Sequence, residues 1–190
     1  MLGVADYEPV WLDSSEALLA SHGDRLSSLM GATLEGHWVV ADRTEDDWFN
    51  DMPIVLIVGG VPLEVACWKF DEMAISWGEI DLSRPIDWHG TGLDLEWRAD
   101  WLPVLNDALG LTVTDVWITE QLNKTRLMDG EGAPESQVWL LSGLELGFGS
   151  SRLEVFNGLD EIRVEYGKPA QEDWLRRIAV TTSAHGSCAD

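Results

Sequence analysis

The chain has 190 residues and a formal net charge of -22, with 34 acidic and 12 basic residues, yet it also contains 11 tryptophans. Disordered acidic chains are poor in aromatic residues, whereas 45% of this chain is hydrophobic, so we expect a folded core under a strongly negative surface. Such a surface repels nucleic acid and anionic membranes, and it favours a basic protein partner.

The length fits one domain, and no Pro/Gly/Ser-rich linker divides the chain. We therefore predict a single α+β domain over residues 1–180 and a frayed tail over residues 181–190, with no internal repeat. The first ten residues lack the basic stretch of a secretion signal, and the longest apolar run is too short to span a membrane. Because Cys67 and Cys188 lie far apart and suit reduced thiols, we predict a cytoplasmic protein.

The first third of the chain predicts one helix and one strand. The stretch Asp13-Ser14-Ser15-Glu16 has the capping residues of a helix start, and leucines at helical spacing follow it. Gly23 is a candidate break in this helix, and Gly31 would end it. Residues 37–41 predict a short strand.

The centre of the chain predicts a β-hairpin over residues 54–70. Two apolar runs flank Gly59-Gly60, a pair that is typical of a turn in which the backbone visits positive φ. Residues 74–80 predict a third strand. In residues 97–109 apolar side chains recur every four positions, which predicts a helix with Pro103 in its first turn.

The last third predicts mainly strands, followed by a short helix at residues 171–180. The predicted strands lie within residues 112–122, 138–148, 153–155 and 161–166. In the last of these, strict alternation predicts that Ile162 and Val164 are buried while Glu161, Arg163 and Glu165 face solvent. Because strands outnumber helices and helical crossovers are missing, we predict an α+β fold, a mainly antiparallel β-sheet with a few packed helices.

The residue types that catalysis and metal binding need do not occur in recognisable arrangements. The four histidines lack the spacing of metal ligands, and the sequence contains neither Cys-x-x-Cys nor Gly-x-Ser-x-Gly. Cys67 lies within an apolar strand, which is typical of a buried, inert thiol. We therefore predict no catalytic residue, no metal site and no cofactor.

The acidic stretch of residues 42–51 is the predicted partner-binding site. Residues 1–100 hold 20 acidic and 5 basic residues, a net charge of -15, whereas residues 101–190 hold 14 and 7, a net charge of -7. Two aromatic residues within a charged rim have the anatomy of an interface. The predicted site residues are Asp42, Glu45, Asp46, Asp47, Trp48, Phe49 and Asp51. The alternative is a solvated loop whose aromatic side chains turn back into the core.

Two segments carry a resemblance to known sequences. Residues 54–80, which include LEVACWKFDEMAISW, and residues 152–161, RLEVFNGLDE, are similar to a group of uncharacterised bacterial proteins common in actinobacteria. The size, acidity and tryptophan content also resemble, in style, the immunity proteins of bacterial toxin systems. That second resemblance implies a basic toxin, such as a nuclease, as the partner, and neither resemblance implies a catalytic residue.

Three functions remain open at this point. The first is a non-enzymatic acidic binding protein, an immunity-type inhibitor of a basic bacterial toxin. The second is a small-molecule-binding or enzymatic β-rich domain, with a pocket lined by Trp68, Trp77 and Trp97 and with Glu64 or Glu120 as its polar group. The third is a housekeeping protein without a specific partner. The sequence leaves the oligomeric state open.

Overall fold

The computed structural model describes residues 2–126, 135–159, 161–169 and 172–181. These residues form two β-sheets, in which every strand pairing is antiparallel, and two helices, α1 (Ser15–Ser27) and α2 (Pro103–Asn106). The strands of the first sheet are β1 (Leu34–Asp42), β2 (Asp47–Trp48), β3 (Ile54–Val58), β4 (Val61–Trp68), β5 (Glu72–Ser76) and β6 (Leu95–Ala99). Those of the second sheet are β7 (Asp115–Arg126), β8 (Glu135–Phe148), β9 (Ser151–Asn157), β10 (Ile162–Gly167) and β11 (Leu175–Ala179).

This architecture is β-rich and roughly α+β, with few helices, so the prediction of mainly antiparallel sheet is confirmed. The central hairpin forms as predicted, and its turn residues Gly59 and Gly60 have φ of +57° and +75°. At the start of α1 the Ser14 hydroxyl accepts a hydrogen bond from the backbone nitrogen of Ala17. Gly23 lies inside α1 and does not break it.

One predicted helix is confirmed only in its centre, and another is wrong. Residues 95–99 form β6 along the edge of β1, and within the region predicted as helical only the short α2, with Pro103 at its start, is helical. In the region of residues 171–180, Leu175–Ala179 forms β11 along the edge of β7. In both regions hydrogen bonds to a distant strand override the local pattern. The predicted tail lies outside the described residues beyond residue 181.

The alternation in β10 is confirmed in its register. Ile162 is 1% exposed, whereas Arg163 and Glu165 are exposed to solvent. Glu161, just before the strand, is half-buried because it accepts a hydrogen bond from the Asn50 side chain. Val164 is half-buried against the core.

Apolar side chains gather in two clusters. The main core draws residues from both helices and both sheets, for example Leu26, Ile54, Leu105 and Leu144, so the two sheets pack on a common interior. The second core covers the opposite face of the first sheet. It consists of Leu2, Val4, Tyr7, Val40, Met52, Val55, Ala66, Ala74, Ile80 and Leu95.

The two sheets repeat one arrangement of strands. The first sheet has the order β5-β4-β3-β1-β6, with β2 as an addition to β1, and the second has the order β10-β9-β8-β7-β11. Each series follows a helix. We call the first series repeat 1 (residues 15–99) and the second repeat 2 (residues 103–179).

The strand registers of the two repeats correspond residue by residue. Trp38 of β1 faces Val55 on one side and Ala99 on the other, and Trp117 of β7 faces Glu145 and Ala179 in the same way. Continuing across each sheet, Glu64 lies opposite Ser76 in repeat 1. Its counterpart Glu154 lies opposite Glu165 in repeat 2.

The junction between the repeats has the reciprocal hydrogen bonds of an approximate two-fold axis. The backbone nitrogen of Gly31 donates to Val113, and that of Gly110 donates to Leu34, each over 2.8 Å. An antiparallel bridge between Thr33 and Thr112 lies at the centre of this pattern. The expectation of no internal repeat is therefore wrong, because a sheet requires a pattern of burial and leaves residue identity largely free.

Candidate functional site

The outward faces of the two sheets differ in chemistry. The outward face of repeat 1 is apolar and lies beneath the second core, which includes Leu2, Val4, Tyr7 and side chains from the long connection of residues 77–94. In repeat 2 the corresponding connection is the much shorter residues 168–174. The outward face of repeat 2 contains a cleft of about 190 Å³. Its walls include Glu145, Arg152, Glu154, Glu165, Trp174 and Arg177.

Glu145 is the most buried charged residue of this cleft, with 1% of the residue exposed. Nε of Arg177 donates a hydrogen bond to its Oε2 over 2.8 Å. Nε of Arg152 lies 3.3 Å from its Oε1, as an ion pair without hydrogen-bond geometry. The Arg152 guanidinium also stacks on Trp117, with 3.7 Å from Cζ to the ring centroid. Glu145 thus lies between two cations from two different strands.

Gly147 is what allows the stacking of Arg152 on Trp117. An ideal Cβ at Gly147 would lie 2.8 Å from the Trp117 ring and 2.9 Å from Nη1 of Arg152. Gly143, two positions before Glu145 on the same face of β8, is as crowded, since an ideal Cβ there would lie 2.6 Å from the carbonyl oxygen of Val155. The two glycines therefore flank Glu145, and Gly147 leaves room for Arg152 while Gly143 allows the close approach of β9.

Three carboxylates stand side by side across three neighbouring strands. Glu154 of β9 lies directly opposite Glu145 of β8 and directly opposite Glu165 of β10. Burial raises the pKa of Glu154, the carboxylates of Glu145 and Glu165 raise it further, and Thr119 and Arg177 act in the opposite direction. Within the described part of the chain, no Lys or Arg forms an ion pair with Glu154 or Glu165. Since like charges directly opposite one another destabilise a sheet, this row favours a cation from outside the chain.

The predicted partner-binding residues form a tight turn at one end of β1. Glu45, Asp46 and Asp47 are exposed, and Asp42 and Asp51 are half-buried. Asp42 accepts a hydrogen bond from the backbone of Thr44 over 2.7 Å. Asp46 pairs with Arg98 over 2.5 Å. Part of the acidity of this turn is therefore neutralised within the chain.

The two aromatic residues of this turn face inward, as the alternative interpretation expects. Trp48 is half-buried against the main core, and Phe49 is half-buried against the second core with its ring edge-on to Trp88. The next residue, Asn50, accepts a hydrogen bond on its carbonyl from the backbone of Ile162 over 2.8 Å. This contact fixes the acidic turn to β10, the strand that carries Glu165.

The structure does not join the three tryptophans predicted to line a pocket. Trp68 packs against Trp11, Trp77 packs against α1 through His22 and Arg25, and Trp97 packs against the second core. Glu64 and Glu120, predicted as polar groups of that pocket, have their own partners. Glu64 accepts hydrogen bonds from Ser76 and from the backbone of Ile80, and Glu120 bonds to Ser15 and Arg176.

Other candidate groups are buried in structural positions. Cys67 is buried, and burial raises its pKa to about 12, as expected of an inert thiol. His37 is fully buried, its Nε2 accepts a hydrogen bond from the backbone of Leu102, and burial lowers its pKa. Over the described ranges, no three His, Cys, Asp or Glu side chains converge as metal ligands would. No helix in the same ranges is long and apolar enough to cross a bilayer.

Sequence reasoning missed the cleft residues because their proximity depends on strand register. A signal existed in the two Leu-Glu-Val segments, residues 63–65 and 153–155, each of which follows a Gly-containing turn. No protein-family model matches this chain, and no curated protein or solved structure matches it.

Proposed function

We propose that this protein is a non-enzymatic acidic binding protein for a basic protein partner, and that a basic side chain of the partner binds in the cleft of repeat 2. The observation that carries the proposal is the row Glu145, Glu154 and Glu165. Two arginines neutralise Glu145, whereas the other two carboxylates face one another and form no ion pair within the described residues, although Arg177 and Lys168 also line the cleft. A lysine or arginine of a partner would relieve that repulsion, so binding energy is available there.

The charge of the whole chain supports the same class of partner. A net charge of -22 attracts a cationic surface over distances up to the Debye length and accelerates association at low salt. The most specific form of the proposal is an immunity-type inhibitor of a basic bacterial toxin in the cytoplasm. The exposed carboxylates of Glu45, Asp46 and Asp47 are a second contact region for that partner, since Asn50 holds their turn against β10.

The test compares two variants that each lose two negative charges. In Glu154→Gln/Glu165→Gln the change lies in the cleft, and in Glu45→Gln/Asp47→Asn it lies in the acidic turn. Each is titrated by calorimetry with a lysine- and arginine-rich synthetic peptide at low and at moderate salt. We expect the cleft variant to lose about tenfold in affinity or more, which corresponds to ~1.4 kcal/mol. The turn variant should show a smaller, salt-sensitive loss.

The outcomes separate the candidate sites. Equal losses in both variants would mean that only the general negative charge binds the peptide, which contradicts the proposal. A larger loss in the turn variant would instead identify residues 42–51 as the main site.

A second candidate function is small-molecule binding or catalysis in the same cleft. It is favoured by the difference in environment between two facing carboxyl groups, Glu145 between arginines and Glu154 with a raised pKa. Such a difference is typical of acid–base pairs. A thermal-shift screen with neutral and cationic small molecules tests it, and a neutral ligand whose stabilisation disappears in Glu154→Gln would support it over the binding of a basic protein.

A further inference from the structure

We infer that the cleft of repeat 2 binds an extended peptide segment of the partner, with one lysine or arginine side chain against Glu154 and Glu165. This inference rests on the proposed function and adds the form of the occupant: a main-chain segment that lies across the sheet face.

The first support comes from repeat 1, where a segment of this chain already occupies the equivalent face. Leu2, Val4 and Tyr7 are at most 3% exposed and belong to the second core on that face. The Tyr7 hydroxyl is 3.0 Å from Oγ of Ser76, which in turn donates to Glu64. Repeat 1 therefore shows that this sheet geometry accepts a crossing segment whose side chain points at these two positions.

Two of the three corresponding positions are apolar or neutral in repeat 1 and charged in repeat 2, and the third is a glutamate in both. Val55 corresponds to Glu145, and Ser76 corresponds to Glu165. Glu64, which accepts two hydrogen bonds within the chain, corresponds to Glu154, which faces another carboxylate. The occupant of repeat 2 should therefore carry a positive charge at the place where repeat 1 holds the Tyr7 hydroxyl.

The second support comes from buried polar atoms of the cleft that lack hydrogen bonds. Within the described residues, Oε1 of Glu145 accepts none, and Nε and Nη1 of Arg152 donate none. Glu145 is 1% exposed, and within the described residues its Oε1 has an ion pair with Nε of Arg152 at 3.3 Å but no hydrogen bond, so a donor from a ligand would satisfy it better. A neighbouring acceptor and donor are the complement of one peptide unit, which presents both an N–H and a C=O group.

Contacts at the outer edge of β10 restrict where the bound segment can lie. In repeat 1 Leu12 exchanges two backbone hydrogen bonds of 2.9 Å with Met73 of β5. The equivalent residue of β10 is Ile162, whose N–H already donates to Asn50. The occupant of repeat 2 therefore lies over the sheet face, as residues 2–7 do in repeat 1, and leaves that edge position to the acidic turn.

The experiment uses three probes: a blocked nine-residue peptide with one central arginine among alanines and glycines, the same peptide with citrulline at the centre, and acetyl-arginine amide. Binding is measured on the full chain by NMR titration of the tryptophan indole signals. We expect the arginine peptide to bind about tenfold more tightly than either other probe, because charge and main chain both contribute.

Two variants separate the contribution of the arginine charge from that of the peptide main chain. In Glu154→Gln/Glu165→Gln the preference for arginine over citrulline should fall to about one. In Arg152→Lys, which keeps the charge but has no Nη1, the advantage of the peptide over acetyl-arginine amide should fall by roughly threefold to tenfold. Circular dichroism confirms that each variant is folded, and Gly23→Ala serves as a control remote from the cleft.

The failures of the two proposals are distinguishable. If acetyl-arginine amide binds as tightly as the peptide and the carboxylates still matter, the site takes a lone cation and the extended segment is wrong. If neither basic probe binds more tightly than the citrulline peptide, the proposed function fails together with this inference.

Discussion

The substitution Glu154→Gln should make the protein more stable at neutral pH while it weakens the binding of basic ligands. Glu154 faces two carboxylates, Glu145 and Glu165, and each directly opposed pair across strands is worth about 0.2–1 kcal/mol. The amide keeps the shape of the side chain and removes both repulsions, although it also loses the attraction of Arg177. We expect the free energy of unfolding to rise by about 0.5–1.5 kcal/mol, or roughly 2–5 °C in Tm.

The pH dependence of this gain follows from the direction of the pKa shift. Because the pKa of Glu154 in the folded protein lies above its ordinary value of 4.5, the folded state holds the proton more tightly than the unfolded chain does. The stability that this provides is present below pH 4.5 and is lost as the pH rises through the folded-state pKa. The wild type therefore loses stability as the pH rises from 4.5 through the folded-state pKa of Glu154. The glutamine variant does not show this loss, because its residue 154 has no group that ionises.

Urea unfolding of both proteins at about pH 5 and about pH 7.5 measures the effect, and the lower pH stays above the sequence pI of about 4.2. The gain should be larger at the higher pH. Glu145→Gln is the matched control, since it leaves Arg152 and Arg177 without their shared carboxylate. The free energy of unfolding of Glu145→Gln should fall by about 2–3 kcal/mol. This is less than the loss expected on breaking a fully buried ion pair, because each arginine side chain is 21% exposed. If Glu154→Gln destabilises the protein, or if it raises the free energy of unfolding equally at both pH values, the reasoning is refuted.

Three further predictions concern other parts of the molecule. Gly147→Ala should lower the free energy of unfolding by about 1–3 kcal/mol, because its Cβ would enter the stack of Trp117 and Arg152. Gly23→Ala in α1 should raise the free energy of unfolding by about 0.5–1 kcal/mol, because alanine favours a helix more than glycine does. Thermal unfolding of both variants checks that the two effects have opposite signs. Burial lowers the pKa of His37 below 6.5, so its contribution to stability is present above that pH and is lost as the pH falls through the folded-state pKa; His37→Gln should flatten the pH profile of urea unfolding in this window. With its pKa raised to about 12, Cys67 should react with thiol reagents only as fast as the protein unfolds, and rapid labelling in a Cys188→Ser background would contradict its burial.

The elements that could be predicted from the sequence are those fixed by nearby residues. The Ser14 cap and the turn at Gly59-Gly60 have all their determinants within a few positions, and both form as predicted. The sequence pattern predicts a helix where β11 forms, and it extends another predicted helix over the end of β6. The determinant of both strands is a free edge of β1 or β7, which lies far away in the chain. Local periodicity cannot report the hydrogen bonds that such an edge offers.

The candidate site depends even more strongly on distant pairing. Adjacent acidic residues are easy to see in the sequence, but the carboxylates that meet are Glu145, Glu154 and Glu165, each on a different strand. Their meeting requires the register of two hairpins, which a single sequence does not display. Recognising the repeated Leu-Glu-Val would have supplied that register, since Glu154 would then take the position of Glu64.

The two-fold relation between the repeats also determines how many sites the molecule has. In a symmetric dimer of separate chains every substitution occurs twice, so both subunits must present the same surface. Here the two copies belong to one polypeptide, and each copy can differ from the other. One copy encloses its sheet with its own segment, while the other bears the carboxylates and arginines of the cleft. Among the described residues the row of three carboxylates occurs in one of the two copies, so a titration with the arginine peptide should saturate at one ligand for each protein molecule.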